Sequence, residues 1–226
     1  MSLRSFFTAI DAEVAKLVDG WDSIPVGDEF SVLRGELAHE PVEMRTSAYG
    51  CPSVARLAWV RMDTIDGKPV TRTMVALPRG AGTIVGLDVV ALKNRVSLFA
   101  VDLRGTNAEA TVAADATLGV GRTKLRGFTD RPRPQFVEGA FSDHAIIGGF
   151  EEGAEESGID CVRIALGRVA LQTCPGKAED DRAVVLNWLD AERRNRKERN
   201  ALARMFGVDR AESYLERFLF SASAAA

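Results

Sequence analysis

The chain is poor in residues that hold metals or cross-links: 226 residues include 3 cysteines, Cys51, Cys161 and Cys174, and 2 histidines, His39 and His144. No CxxC spacing occurs, so the set suits neither a disulfide framework nor structural zinc. Long apolar runs are missing too. Nothing approaches the ~18 residues of a bilayer span, and Asp11 and Glu13 stand where a signal peptide would be apolar, which predicts a cytoplasmic protein without membrane association. No GxGxxG follows a strand pattern and no GxxxxGK[ST] is present, Gly119 and Gly121 making only GxG, so the cradles for dinucleotides and triphosphates are lacking. Neither GxSxG nor HExxH appears, and neither histidine has a recognisable nucleophile near it. Any redox chemistry must draw its electrons from outside the chain.

What is present is the composition of a globular protein, 46% hydrophobic and 27% charged with a formal net charge of −3. Charge is distributed unevenly. Arg193, Arg194, Arg196, Lys197, Arg199 and Arg204 crowd one stretch against Glu192 and Glu198, and Arg122, Lys124, Arg126, Arg131 and Arg133 crowd another against Asp130. Such runs read either as solvated faces or as docking patches. No aromatic residues interleave with the arginines, so docking would favour an acidic protein or an anionic ligand over nucleic acid.

Phe6, Phe7, Ile10, Val14, Leu17 and Val18 recur at helical spacing and predict an amphipathic helix over 3–18. Residues 20–41 are mixed and read as loop. Alternating segments at 54–64 and 69–77 flank Asp66-Gly67, a hairpin signal, and 84–92 and 95–103 continue as strands of an antiparallel meander. Pro132 and Pro134 mark a loop, after which helical periodicity returns around 162–170, 184–189 and 208–219. No repeat or compositional step divides the chain. The expectation is one α+β domain over 1–226, monomeric, with a three-layer α/β/α sandwich, a mainly antiparallel central sheet and a frayed tail at 221–226.

Within TIVGLDVVAL, period-two alternation puts Ile84, Gly86, Asp88 and Val90 on one face and Val85, Leu87 and Val89 on the other. Asp88 is the one charge in an apolar strand. Burial would raise its pKa toward neutrality and fit it for proton transfer, the alternative being an aspartate satisfied by backbone donors.

Three motifs in the same order resemble a family. NRKERNALARMFG at 195–207, followed by AESYLERFLF, is similar to the NDKTRR…L…FG…AExY…LF ending of the ferredoxin-dependent bilin reductases. Val75-Ala-Leu-Pro, Gly86-Leu-Asp-Val-Val and Ser97-Leu-Phe-Ala-Val-Asp-Leu are similar to that family's VMFP, GCDLV and SAAIVDL, and Ala140-Phe141-Ser142 to its IFS. The resemblance spans about 54–220. It implies an enzyme that binds an open-chain tetrapyrrole such as biliverdin between sheet and C-terminal helices and reduces it through a radical, with no bound cofactor and with electrons from reduced ferredoxin.

Carried over residue by residue, Asp88 falls on the catalytic acid and Ser97 on a serine that contacts a propionate. Asn195 and Lys197 fall on polar residues of the pocket edge, Arg199 on a usually basic position, and Thr73 and Ser142 on substrate-binding positions. For Ser97 a plain strand serine, and for the last-helix residues a solvated face, stay open as alternatives. Arg193, Arg194 and Arg196 are the expected docking residues. The departures are Thr73 in place of a histidine, Arg196 in place of an aspartate, Gly149 in place of an arginine, and Arg61 in place of a glutamate. They imply a pocket with fewer acids, hence one two-electron step with a 15,16-dihydrobiliverdin-like product. A chlorophyll-catabolite-type linear tetrapyrrole reductase and a non-catalytic bilin binder are the alternatives.

Overall fold

The computed structural model describes residues 1–172 and 179–221. Cys174 and the expected tail beyond residue 221 lie outside the described residues. Helix α1 (Leu3–Leu17) starts where the Ser2 hydroxyl accepts from the Ser5 N–H, and it buries Phe6, Phe7, Ile10 and Val14, the stripe that its spacing predicts. The stretch read as loop instead holds β1 (Asp22–Ile24), the short helix α2 (Asp28–Ser31), β2 (Val32–Leu37) and the start of β3 (Glu40–Cys51). β1 and β2 are held by pairing to β3, and elements this short leave no period to read.

The meander is as its patterning predicts: β4 (Val54–Thr64), β5 (Pro69–Pro78), β6 (Thr83–Leu92) and β7 (Arg95–Gly105) pair consecutively and antiparallel. Gly67 closes the β4–β5 hairpin at φ +82°. The two-residue link between β6 and β7 uses Lys93 and Asn94, both at positive φ, the geometry of a turn whose twist matches its strands. Three elements escape the sequence reading: α3 (Ala108–Lys124), β8 (Phe128–Asp130) and β9 (Ile146–Phe150). Helix α3, capped by Asn107, buries only Ala110, Ala114, Leu118 and Gly121, so small residues blur its apolar stripe. Helices α4 (Ser157–Ala170), α5 (Glu179–Arg193), α6 (Arg196–Phe206) and α7 (Val208–Tyr214), with a π-helical turn at Leu215–Leu219, complete the chain.

The strands form one nine-stranded antiparallel sheet in the order β1-β3-β4-β5-β6-β7-β9-β8, with β2 also paired to β3. Helices cover both faces, an α+β sandwich of three layers. On one face α1, α3 and α4 pack against Leu57, Trp59, Met74, Leu87, Val89, Phe99, Val101 and Ile146. On the other, α5, α6 and α7 pack against Val42, Met44, Ala58, Val60, Val75 and Ile84. The two layers differ in extent. The first cluster reaches β7 and β9, whereas the second contains no residue of either strand, so apolar packing on that face stops at β6. No helix among the described residues is long and apolar enough to cross a membrane.

Candidate functional site

Where that packing stops, the sheet face stays half open. Directly opposed residues share a face, which sets Thr73 on β5, Asp88 on β6, Ala100 on β7 and Ile147 on β9 in one row. Thr71, Val90 and Leu98 form a second row. Thr73, Gly86, Asp88, Val90, Leu98, Ala100 and Gly149 are half-buried, while Val85, Leu87, Val89, Phe99 and Val101 on the reverse face are closed. The result is a shelf that begins beneath the C-terminal helices and runs outward across β7 and β9.

Asp88 stands on this shelf. The Thr73 hydroxyl donates to its Oδ1 at 2.9 Å and the Thr71 hydroxyl to the same oxygen at 3.4 Å, leaving Oδ2 without a partner among the described residues. Burial pushes the Asp88 pKa upward against these two hydrogen bonds, the direction its place in an apolar strand predicts. Its partners are side chains, not the backbone donors of the structural alternative.

Three further acids face the same recess, and the sequence reading assigned none of them there. Asp102 of β7 is 3% exposed; it accepts the Trp188 indole N–H at 2.9 Å and the Ser142 backbone N–H at 3.0 Å, and burial raises its pKa to about 7. Glu198, in the first turn of α6, is raised to about 8 by burial and then by the charge of Asp88, and it takes a 3.4 Å hydrogen bond from the Asn195 amide. Glu192, in the last turn of α5, hydrogen-bonds to no described residue, and burial followed by the charges of Glu198, Asp88 and Asp102 holds its pKa well above the carboxylate range. The expected shortage of acids is thereby overturned. In the sequence Glu192 and Glu198 look like the counter-charges of an arginine run; the available signal was the Asn195-x-x-Glu198 capping pattern, which fixes the phase of α6 and turns Glu198 inward.

Trp188 sets the register of the overlying layer. Its ring lies so close to Gly86 that a Cβ there would stand 3.0 Å from Cζ2, and Phe141 stacks on it at 5.5 Å. Trp188 and Glu192 lie one turn apart on one helix face, and Gly86 and Asp88 one pleat apart on one sheet face. With Trp188 seated on Gly86, Glu192 one turn on lies near enough to Asp88 and Asp102 to feel the charge of both.

The other expected site residues disperse. Ser97 sits at the β6–β7 bulge and its hydroxyl donates to the Val90 carbonyl at 3.1 Å, the plain strand role. Ser142 is 2% exposed, with its hydroxyl on Asp115 at 2.7 Å, so it supports Asp102 from behind and does not line the recess. Asn195 caps α6 and braces Glu198. Lys197, Arg194 and Arg196 point to solvent. Arg199 ties α6 to α7 through Glu212 and Glu216 and donates to the Arg193 carbonyl, so it is a brace. Arg193 likewise binds the Phe220 carbonyl and Asp190. Arg61 pairs with Arg72 across β4 and β5 and shares the opposite face of the sheet, outside the recess. Gly149, expected to leave a gap where an arginine would be, has the Arg131 guanidinium 3.4 Å from the place its Cβ would take, so a cation from the loop after β8 occupies that ground.

No family model matches the chain, and no curated protein sequence does. Among solved structures it is similar to selenomethionine phytochromobilin synthase from tomato in complex with biliverdin. That likeness has a TM-score of 0.73 at 12% identity and covers 96% of this chain and 81% of that one. At this identity the likeness establishes the fold.

Proposed function

We propose that the protein is a bilin reductase, taking biliverdin or a related linear tetrapyrrole on the half-open shelf between β6–β7–β9 and the α5–α6 layer. The observation that carries the reading is the acid set on that shelf, Asp88 from the sheet and Glu192 and Glu198 from the helices, in a chain folded like a protein crystallised with biliverdin. A tetrapyrrole presents pyrrole N–H and lactam groups that accept protons from, and donate hydrogen bonds to, such acids. Its conjugated system stores an unpaired electron, so the protein need only position it and supply protons. Reduced ferredoxin would deliver electrons singly. Asp88 would protonate the substrate through the oxygen left free by Thr71 and Thr73. Arg131, exposed beside Gly149, would meet a substrate carboxylate at the outer end of the shelf. The step we propose is a two-electron reduction at the C15=C16 bridge; with Glu192 and Glu198 near Asp88, a shortage of acids no longer limits the chain to that one step.

The test is a titration with biliverdin followed by a ferredoxin-reducing system, read by absorption. Near 1:1 binding and bleaching toward a 15,16-dihydrobiliverdin-like spectrum are expected. Asp88→Asn should still bind biliverdin but turn over about 10²–10⁴-fold more slowly. Binding with no turnover in the unmodified protein would leave a carrier, and full activity in Asp88→Asn would return that residue to a structural role.

A further inference from the structure

We propose that Trp188, pinned by Asp102, is the inner stop of the shelf and decides which bond of the substrate comes to rest at Asp88. The inference rests on the bilin reading and adds what selects the bond. Asp102 is buried and both of its oxygens are engaged: Oδ1 accepts the Ser142 backbone N–H at 3.0 Å and Oδ2 the Trp188 indole N–H at 2.9 Å. One side chain of β7 thereby ties α5 to the segment that leads into β9. Ser142 is fixed in turn, its hydroxyl donating to Asp115 of α3 at 2.7 Å and accepting the His144 backbone N–H at 3.0 Å. Phe141 stacks on the indole with the rings 13° from parallel, and Phe220 meets it edge-on with centroids 6.4 Å apart. An indole held by a buried hydrogen bond and by two rings does not swing aside cheaply.

Strand pairing places this stop. Gly86 pairs with Asp102 and Asp88 with Ala100, so the Trp188 ring fills the space over the row next to that of Asp88. Only glycine at 86 lets the ring come so near the sheet, and no planar ligand can lie on that row while the indole is there. On the other side of the Asp88 row, Gly149 follows Ile147 by one pleat on the same face, and the Arg131 guanidinium stands against it. Each pleat is about 6.7 Å, so the Asp88 row lies midway along about 13 Å of sheet between the stop and the cation. A ligand with a carboxylate on Arg131 and its conjugated body against the stop has one register. Sliding inward by a ring width meets the indole, and sliding outward gives up the carboxylate contact. The spacing thus chooses the bond that meets the free oxygen of Asp88. Trp188 is the specificity-determining residue here and Asp102 a positioning residue that acts through it.

The experiment compares Trp188→Phe, which shortens the stop and removes the indole N–H, with Asp102→Asn, which turns a donor nitrogen toward one of the two N–H groups that Asp102 accepts. Each protein is given biliverdin and a ferredoxin-reducing system, and the first reduction product is identified by chromatography and absorption. The unmodified protein should form one first product. A methylene-sized misfit in a pocket is worth about 10–200-fold in discrimination, so relaxing the stop should give a mixture that includes reduction at a second bond. Both variants should still bind biliverdin, with the red absorption band of the bound, unreduced molecule shifted. The same single product from both variants overturns the proposal, whether turnover is unchanged or slower, because slower turnover alone is what a structural role gives. A mixture from the unmodified protein overturns it too, since no register would then be imposed. If Trp188→Phe loses its cooperative thermal transition, Asp102→Asn decides. If the unmodified protein neither binds nor reduces biliverdin, the bilin reading falls first and takes this inference with it.

Discussion

Glu192 shows what a recess of acids costs the folded chain. It is packed among Glu198, Asp88 and Asp102 with no hydrogen bond to a described residue, so its ionised form is disfavoured by lost hydration and by three like charges. A carboxyl whose folded pKa is raised binds more protons folded than unfolded once pH passes the unfolded value near 4.5. Stability therefore falls as pH rises through that window, and the loss is complete above the folded pKa. Glu192→Gln removes this cost. At pH 8 the variant should be more stable by about 1–2 kcal/mol, a rise in Tm of about 2–8 °C for a chain of this size, with no gain at pH 4. Thermal melts at the two pH values check it; a Tm unchanged at pH 8 would mean that the carboxyl is already satisfied.

Among the elements, α6 connects packing to the site. Its first turn is fixed by the Asn195 cap, where the side chain accepts from the Glu198 N–H, and its far end by the close approach to β2 at Gly35. Phe206 and Leu202 are buried beneath it. A methyl group on Gly35 would overlap backbone of α6, and backbone cannot step aside as a flexible side chain can. Gly35→Ala should cost about 2–3 kcal/mol and displace the helix along with Glu198. The expected signature is a lowered Tm together with weakened biliverdin binding and faster amide exchange confined first to α6. A loss of stability with binding intact would show that the helix yields elsewhere. Arg56 plays the corresponding role at the π-helical turn, donating to the Phe218 and Leu219 carbonyls at 2.6 Å each, so that the final turn is held by a buried cation whose pKa burial lowers to about 10.

For the whole molecule, turning Glu192 and Glu198 inward leaves the outside of the α5–α6 junction basic although the chain carries a net charge of −3. Arg194, Arg196 and Lys197 are exposed there, beside the place where the substrate would sit, while Arg193 and Arg199 are engaged within the fold. A patch of this kind steers an acidic partner, and steering is screened by salt. Replacing Arg194, Arg196 and Lys197 with glutamine should lower ferredoxin-driven turnover by about tenfold at low ionic strength and by less than about twofold near 0.5 M salt, with biliverdin binding unchanged. Rates measured across a salt series check this. An equal loss at all salt concentrations would assign the three residues to the substrate instead.

Local pattern was sufficient for α1, the four-strand meander, the β4–β5 hairpin turn, the periodic helices and the raised pKa of Asp88, because each depends on side-chain alternation or helical spacing within about a dozen residues. It was not sufficient for β1, β2, β8 and β9, which are short strands held by partners distant in sequence, or for α3, whose buried face is built of small residues. The recess divides in the same way. Asp88 and Thr73 are legible because strand alternation and pairing register fix their common face. Asp102, Glu192 and Glu198 were not, since a charge beside arginines in the chain looks solvated until the packing of Trp188 on Gly86 and of α6 on Gly35 decides which way the helix turns. Which strands carry acids follows from local chemistry; which acids share one low-dielectric space depends on contacts that only the folded chain makes.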